Sequence, residues 1–158
     1  MRILGIDPGS QVTGYGVIES REIPVAWGVI RLKEKTLAER LLRIHREILT
    51  LIEKFDPAAV AFEEVIPETF PRAALKLGQA QGAAIIAAAS TGKSIFFYHP
   101  LEVKKALTGY GNASKEQLRY MVKTLLGLKE DLPTDASDAL AVAIFHAQKM
   151  RFTHACPG

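Results

Sequence analysis

The chain has 158 residues, 48% of them apolar and 23% charged, a balance that suits one folded domain with a real core and excludes a chain that is disordered as a whole. The formal net charge is only +3, although the isoelectric point is near 9.0, so overall charge alone does not identify a nucleic-acid partner. One cysteine, Cys156, excludes an internal disulfide and a cysteine-based zinc site. With no signal-peptide pattern and no apolar run long enough for a bilayer, the chain reads as a cytoplasmic protein that is not in the membrane.

In chain order, Ile3 to Ile6 reads as a buried strand, Val12 to Ile18 as a second, and Val25 to Leu32 as a third with Pro24 at its edge. Short links between the three predict an antiparallel meander. Leu37, Leu41, Ile44, Ile48, Leu51 and Phe55 recur at helical spacing, and Asp56-Pro57 ends that helix. Ala59 to Phe62 is a fourth strand, expected to lie parallel to the first because a helix joins them. Arg72 to Ala89 is a second helix made mostly of small residues, which suits packing on the chain's own sheet or a seam with a second copy. Ser94 to Tyr98 is a fifth strand, and Pro100 to Leu107 a short helix. Ser114-Lys-Glu-Gln117 is a capping box that opens a helix running to about Leu126. Thr134 or Asp131 is expected to cap the last helix, which carries Ala136, Ala139, Leu140, Ala143, Ile144 and Ala147 on one face. The expected fold is α/β, a mixed five-stranded sheet with its first three strands antiparallel, flanked by helices. One domain is expected over 1–150, followed by a mobile tail over 151–158.

Four acids carry the chemical argument. Asp7 and Glu63 each end an apolar strand, and Asp135 and Asp138 share a face of the last helix. Burying an unpaired carboxylate costs several kcal/mol, so such groups meet a cation or one another. If the segments converge, the acids form a hard oxygen site suited to Mg²⁺ or Mn²⁺, and phosphodiester hydrolysis is the simplest chemistry of such a site. Each acid also has a plainer reading: Asp7 as a turn cap, Glu63-Glu64 as a strand leaving the core, Asp135 as a partner of the helix dipole. Strand alternation admits only one of Glu63 and Glu64, and Glu63 follows the apolar run. Gly14 and Gly16 are expected to let a phosphate approach the strands closely. Lys104, Lys105, Lys115, Arg119, Lys123 and Lys129 gather in the second half around Tyr110, which suits a phosphate backbone and an unstacked base; a solvated helix face is the alternative for the last three of the helix set. His45, His99, His146 and His154 show no ligand spacing and read as structural or surface residues.

Taken together, Gly5-Ile-Asp-Pro-Gly-Ser, Thr13-Gly-Tyr-Gly, Glu63-x-Val65, Ala74-Leu-Lys-Leu-Gly-Gln-Ala80, Val103-Lys, Gly109-x-Gly, Lys115 and Asp135-Ala-x-Asp-Ala-Leu-Ala141 resemble the RuvC family of bacterial Holliday-junction resolvases, in order from residue 3 to about 147. The resemblance implies a ribonuclease H-like fold, a homodimer, and paired symmetric nicking of four-way junction DNA with two Mg²⁺ ions per site, Mn²⁺ substituting. It nominates Asp7, Glu63, Asp135 and Asp138 as metal ligands and Lys104 and Lys115 as basic residues near the scissile phosphate. Ile66, Phe70, Lys76, Lys105, Tyr110 and Arg119 join those lysines as expected DNA contacts. Arg72, Leu75, Gly78, Gln79 and Gly82 fall where the family dimerises, and the RuvA–RuvB branch-migration complex is the implied partner. One departure stands out: family members commonly place Phe after Glu-x-Val, where this chain has Ile66, with Phe70 four residues on. A ribonuclease of the same fold, a sugar-kinase- or actin-like ATPase, and a catalytically silent junction-binding protein are the rival readings.

Overall fold

The computed structural model describes residues 1–67 and 70–155. Five strands, β1 (Arg2–Asp7), β2 (Val12–Glu19), β3 (Ile23–Arg31), β4 (Ala59–Glu63) and β5 (Ser94–Tyr98), form one sheet in the order β3-β2-β1-β4-β5. β1, β2 and β3 pair antiparallel, whereas β4 lies parallel to both β1 and β5. The five helices are α1 (Leu37–Phe55), α2 (Pro71–Ser90), α3 (Pro100–Thr108), α4 (Lys115–Leu126) and α5 (Thr134–Ala155). The expected mixed sheet, with its antiparallel first three strands, is the sheet observed.

Strand alternation divides the core. Leu4, Ile6, Val17, Val60 and Phe62 face α1 and α2, while Ile3, Ile18, Ala61 and Tyr98 face α3, α4 and α5. Phe62 is fully buried, and burial of such a side chain contributes about 2–3 kcal/mol. α1 is amphipathic because only one stripe meets the sheet. It opens on a Thr36–Glu39 capping box and closes at Asp56, whose left-handed backbone (φ 44°) is held by the chain turn and whose carboxylate pairs with Lys93 at 2.5 Å. α5 differs: Ala136, Ser137 and every residue from Ala139 to Ala147 are buried, because the helix is covered by the sheet below and by α3 and α4 beside it.

The close seat of α5 on the sheet corrects one expectation. A Cβ on Gly14 would lie 2.0 Å from the Asp135 carbonyl oxygen, one on Gly5 2.0 Å from that of Ala139, and one on Gly16 2.5 Å from Leu140. These glycines admit the helix, not a phosphate. Three further differences have simple causes. β3 begins at Ile23 and includes Pro24, tolerated because β3 is an edge strand with a register shift opposite at Val17/Ile18. Neither proposed cap serves α5: Pro133 carbonyl accepts from the Ser137 N–H, so Thr134 lies inside the first turn, and the Asp131 carboxylate takes the Leu132 N–H. The tail boundary at Arg151 falls within α5, which continues to Ala155. The sequence there lacks an apolar period because Arg151 to Ala155 are exposed, and Arg151 pairs with Glu22 on the β2–β3 turn. Cys156 and the two residues after it lie outside the described residues. Among those described, no helix is long and apolar enough to cross a membrane.

Candidate metal centre

Asp7 and Glu63 end adjacent parallel strands, and both side chains point to the α5 face. The preceding residues Ile6 and Phe62 are paired in register, which sets the two carboxylates side by side. α5 crosses above them, held close by the three glycines, and lowers Asp138 into the same space. Asp7, Glu63 and Asp138 each offer a carboxylate oxygen, and these oxygens lie within 4.8 Å of one another.

In this setting Asp7 and Asp138 resist ionisation. Burial, followed by the charge and hydrogen bonding of Glu63 and then the charges of Asp138 and Asp135, pushes the Asp7 carboxyl from 3.8 to about 10. Burial and then Glu63 raise Asp138 from 3.8 to about 7; Lys115 opposes them, Asp135 adds to them, and Lys104 opposes again. A neutral-pH proton therefore sits where a cation would relieve the repulsion. A hard donor set of carboxylates fits a divalent cation bound through oxygen. Asp135 stands outside the tight group yet acts on both Asp7 and Asp138. Glu64 is exposed at the rim, so Glu63 is the acid that joins the cluster.

The acids open onto a cavity of about 300 Å³ that Lys104, Lys115 and Ile66 also line. Lys104 comes from α3 and Lys115 from the first residue of α4, on opposite sides of the glycine loop. The remaining nominated contacts lie apart from this cavity. Phe70 is 73% exposed, Lys105 faces solvent, and Lys76 borders a small recess against Arg40 and Leu41. Tyr110, 67% exposed, lines a separate groove with Tyr120. Arg119 bonds Glu116 at 2.5 Å and the Leu132 carbonyl at 3.3 Å, which gives its guanidinium partners within the chain. On α2, Arg72 and Leu75 are exposed, Gln79 is half-buried, and nothing lies within 4 Å of a Cβ built on Gly78 or Gly82. His146 is buried, with Nδ1 2.7 Å from the Tyr98 hydroxyl, and His99 caps α3, in keeping with the structural role expected for the histidines.

Two polar residues near the centre have no role of their own in the sequence reading, although Thr13 stands in one of its motifs. The buried Thr13 hydroxyl donates to the Gly9 carbonyl at 3.3 Å and accepts from its N–H at 3.4 Å, pinning the turn that follows Asp7. Gln81 of α2 donates from its side-chain amide to the Glu63 carbonyl at 3.0 Å. Neither carries a charge or a ligand spacing that marks it in a single sequence.

The family model described as Crossover junction endodeoxyribonuclease RuvC matches residues 3–146. A protein of that description from Geobacter sulfurreducens is 48% identical over 151 residues, 93% of this chain and 92% of that one. Another from Dichelobacter nodosus is 45% identical over 158 residues, covering 98% and 89%. The solved structure of T. thermophilus RuvC in complex with Holliday junction substrate superposes with a TM-score of 0.89 at 37% identity, covering 97% of this chain and 96% of that one. Sheet order, carboxylate cluster and near-complete alignment thus agree, and the chain belongs to the RuvC family of crossover junction endodeoxyribonucleases.

Proposed function

We propose that this chain is a structure-specific endonuclease that resolves four-way DNA junctions by paired symmetric nicks, leaving 5′-phosphate and 3′-hydroxyl ends, in recombination and repair. The observation that carries this reading is the set of three carboxylates within 4.8 Å, opening onto a cavity lined by two lysines. Family membership and the junction-bound relative support the substrate.

Asp7, Glu63 and Asp138 would hold Mg²⁺, with Asp135 adding charge and completing a two-ion set; Mn²⁺ would serve in its place. When bound, such ions lower the pKa of a coordinated water and offset charge on the leaving 3′ oxygen. The chain's own groups do the rest. Strand ends and α5 hold the acids in place before substrate arrives, so little reorganisation is needed. Lys104 and Lys115 face the cavity and stabilise negative charge on the transferring phosphate. Ile66 lines the same cavity and would wedge against a base, whereas Phe70, exposed beyond it, would stack on one farther out. Lys76, Lys105 and Tyr110 would contact the backbone or an unstacked base more remotely; Arg119 would do so only by loosening its hold on Glu116.

α2 would form the subunit seam. Leu75, Gln79, Gly82 and Ile86 follow helical spacing on its outer side, Leu75 and Ile86 are 63% and 61% exposed, and the open glycines permit close approach of a second copy. A two-fold dimer would present two centres to the two like strands of a junction. The sheet and its helices, through the end of α5 at Ala155, would act as one nuclease domain, working in the cytoplasm beside RuvA–RuvB.

A labelled synthetic four-way junction, with a linear duplex as control, tests this in Mg²⁺ and in EDTA. Paired nicks confined to the junction and dependent on Mg²⁺ are expected. Nicking by Asp7→Asn at the wild-type rate refutes the site, and tight binding with no nicks in Mg²⁺ favours a silent junction-binding protein.

A further inference from the structure

The Glu63 carbonyl has an unusual position. The N–H of the next residue, Glu64, donates to the Tyr98 carbonyl on β5 at 2.9 Å. In a trans peptide the C=O points opposite to that N–H, so the Glu63 carbonyl is directed away from β5, towards the side of β1. There the chain passes from Asp7 to Pro8, which has no N–H to donate. A part-buried main-chain acceptor at the end of β4 is therefore left without a ladder partner, and an unmet group of this kind costs about 1–3 kcal/mol. Gln81 supplies the missing donor at 3.0 Å. A carbonyl only accepts, so the NH₂ end of the amide must face it. Gln81 lies one turn after Leu77, which lines the acidic cavity, so this face of α2 borders the centre although α2 contributes none of its acids.

We propose that Gln81 is a positioning residue for the metal centre, holding the main chain of Glu63 so that its carboxylate stays aligned with Asp7 and Asp138. The proposal rests on the reading of Glu63 as a metal ligand. The bond fixes the peptide directly after the ligand's Cα, where a small rotation would swing the carboxylate out of the group. A side chain that merely satisfied a carbonyl would change stability when removed. A positioning residue changes metal affinity as well.

The test is binding of Mn²⁺ to the metal-free protein, read from the free-ion electron paramagnetic resonance signal, with no DNA present. Wild type, Gln81→Met, Gln81→Asn and Glu63→Gln are compared, with melting temperature and oligomeric state measured alongside. Gln81→Met keeps length and helix propensity but lacks the donor. Gln81→Asn keeps the amide on an arm too short to reach, and serves if the first variant does not fold. We expect either variant to bind Mn²⁺ about three- to tenfold more weakly, at or below the low end of the 10–100-fold typical of partners bonded to a ligand's side chain, because the bond here is to main chain. Amide exchange at Glu64 should also quicken in the metal-free variant. Mn²⁺ affinity equal to wild type in a folded variant overturns the proposal. If Glu63→Gln binds as wild type does, or wild type binds no Mn²⁺, the site assignment itself fails and this proposal falls with it.

Discussion

Replacing Asp138 with Asn should stabilise the metal-free protein while abolishing its activity. The folded chain raises this carboxyl from 3.8 to about 7, chiefly by burial and by Glu63. A raised carboxylate is a folding penalty whose sign is opposite to that of an ion-paired one. Below pH 3.8 it costs nothing, because both folded and unfolded chains are protonated. The penalty grows as pH climbs from 3.8 to 7 and is complete above that. At 1.36 kcal/mol per pH unit, the full penalty is about 4 kcal/mol. Asp138 is only half-buried, and solvent screening reduces this to ~2 kcal/mol. For a chain of this size that is a rise in Tm of about 4–8 °C. Thermal melts of both proteins in EDTA at pH 8.5 and pH 5 check it: the gain should be largest at pH 8.5 and less than half as large at pH 5. If the cluster is the proposed Mg²⁺ site, Mg²⁺ should then raise the wild-type Tm and leave the variant's nearly unchanged. A variant that melts lower than wild type at pH 8.5 in EDTA, or gains equally at both pH values, refutes the account of a charge-frustrated site.

Loading the centre should release protons. Asp7, raised to about 10, is protonated in the metal-free protein at pH 8, so calorimetry of Mn²⁺ binding in buffers of different ionisation enthalpy should report close to one proton released, and less in Asp7→Asn. Lys104→Ala and Lys115→Ala should each slow junction cleavage by roughly 10²-fold at saturating metal, with junction affinity much less affected, as single-turnover rates beside gel-shift titrations would show. Gly14→Ala puts a Cβ 2.0 Å from the Asp135 carbonyl, so denaturant melts should show destabilisation of about 1–3 kcal/mol with loss of cleavage. Gly82→Ala meets nothing within 4 Å and should preserve the melting profile of the fold while shifting the sedimentation equilibrium of the proposed dimer.

Much of this architecture is legible in one sequence because periodicity is a local property. The spacing from Leu37 to Phe55 reports a helix with one face on the sheet, and the apolar runs ending in Asp7 and Glu63 report strands whose last side chains leave the core. The capping box at Ser114 starts α4 where the residues predict, because a cap depends on four neighbouring residues and little else. The type of chemistry is legible too, since four acids set against apolar stretches demand a cation or a proton. Tertiary structure decided what depends on distance between remote segments. Gly14 and Gly16 are the clearest case: a sequence shows only that a side chain is missing, and the fold shows that α5 occupies the space. The fold likewise left Asp135 outside the tight group while admitting Asp138, tied Arg119 to Glu116, and carried α5 through Arg151 to Ala155. Gln81 was silent in sequence for the same reason: an uncharged amide acquires meaning only from the acceptor it meets, here a carbonyl 18 positions away whose ladder partner a proline had removed.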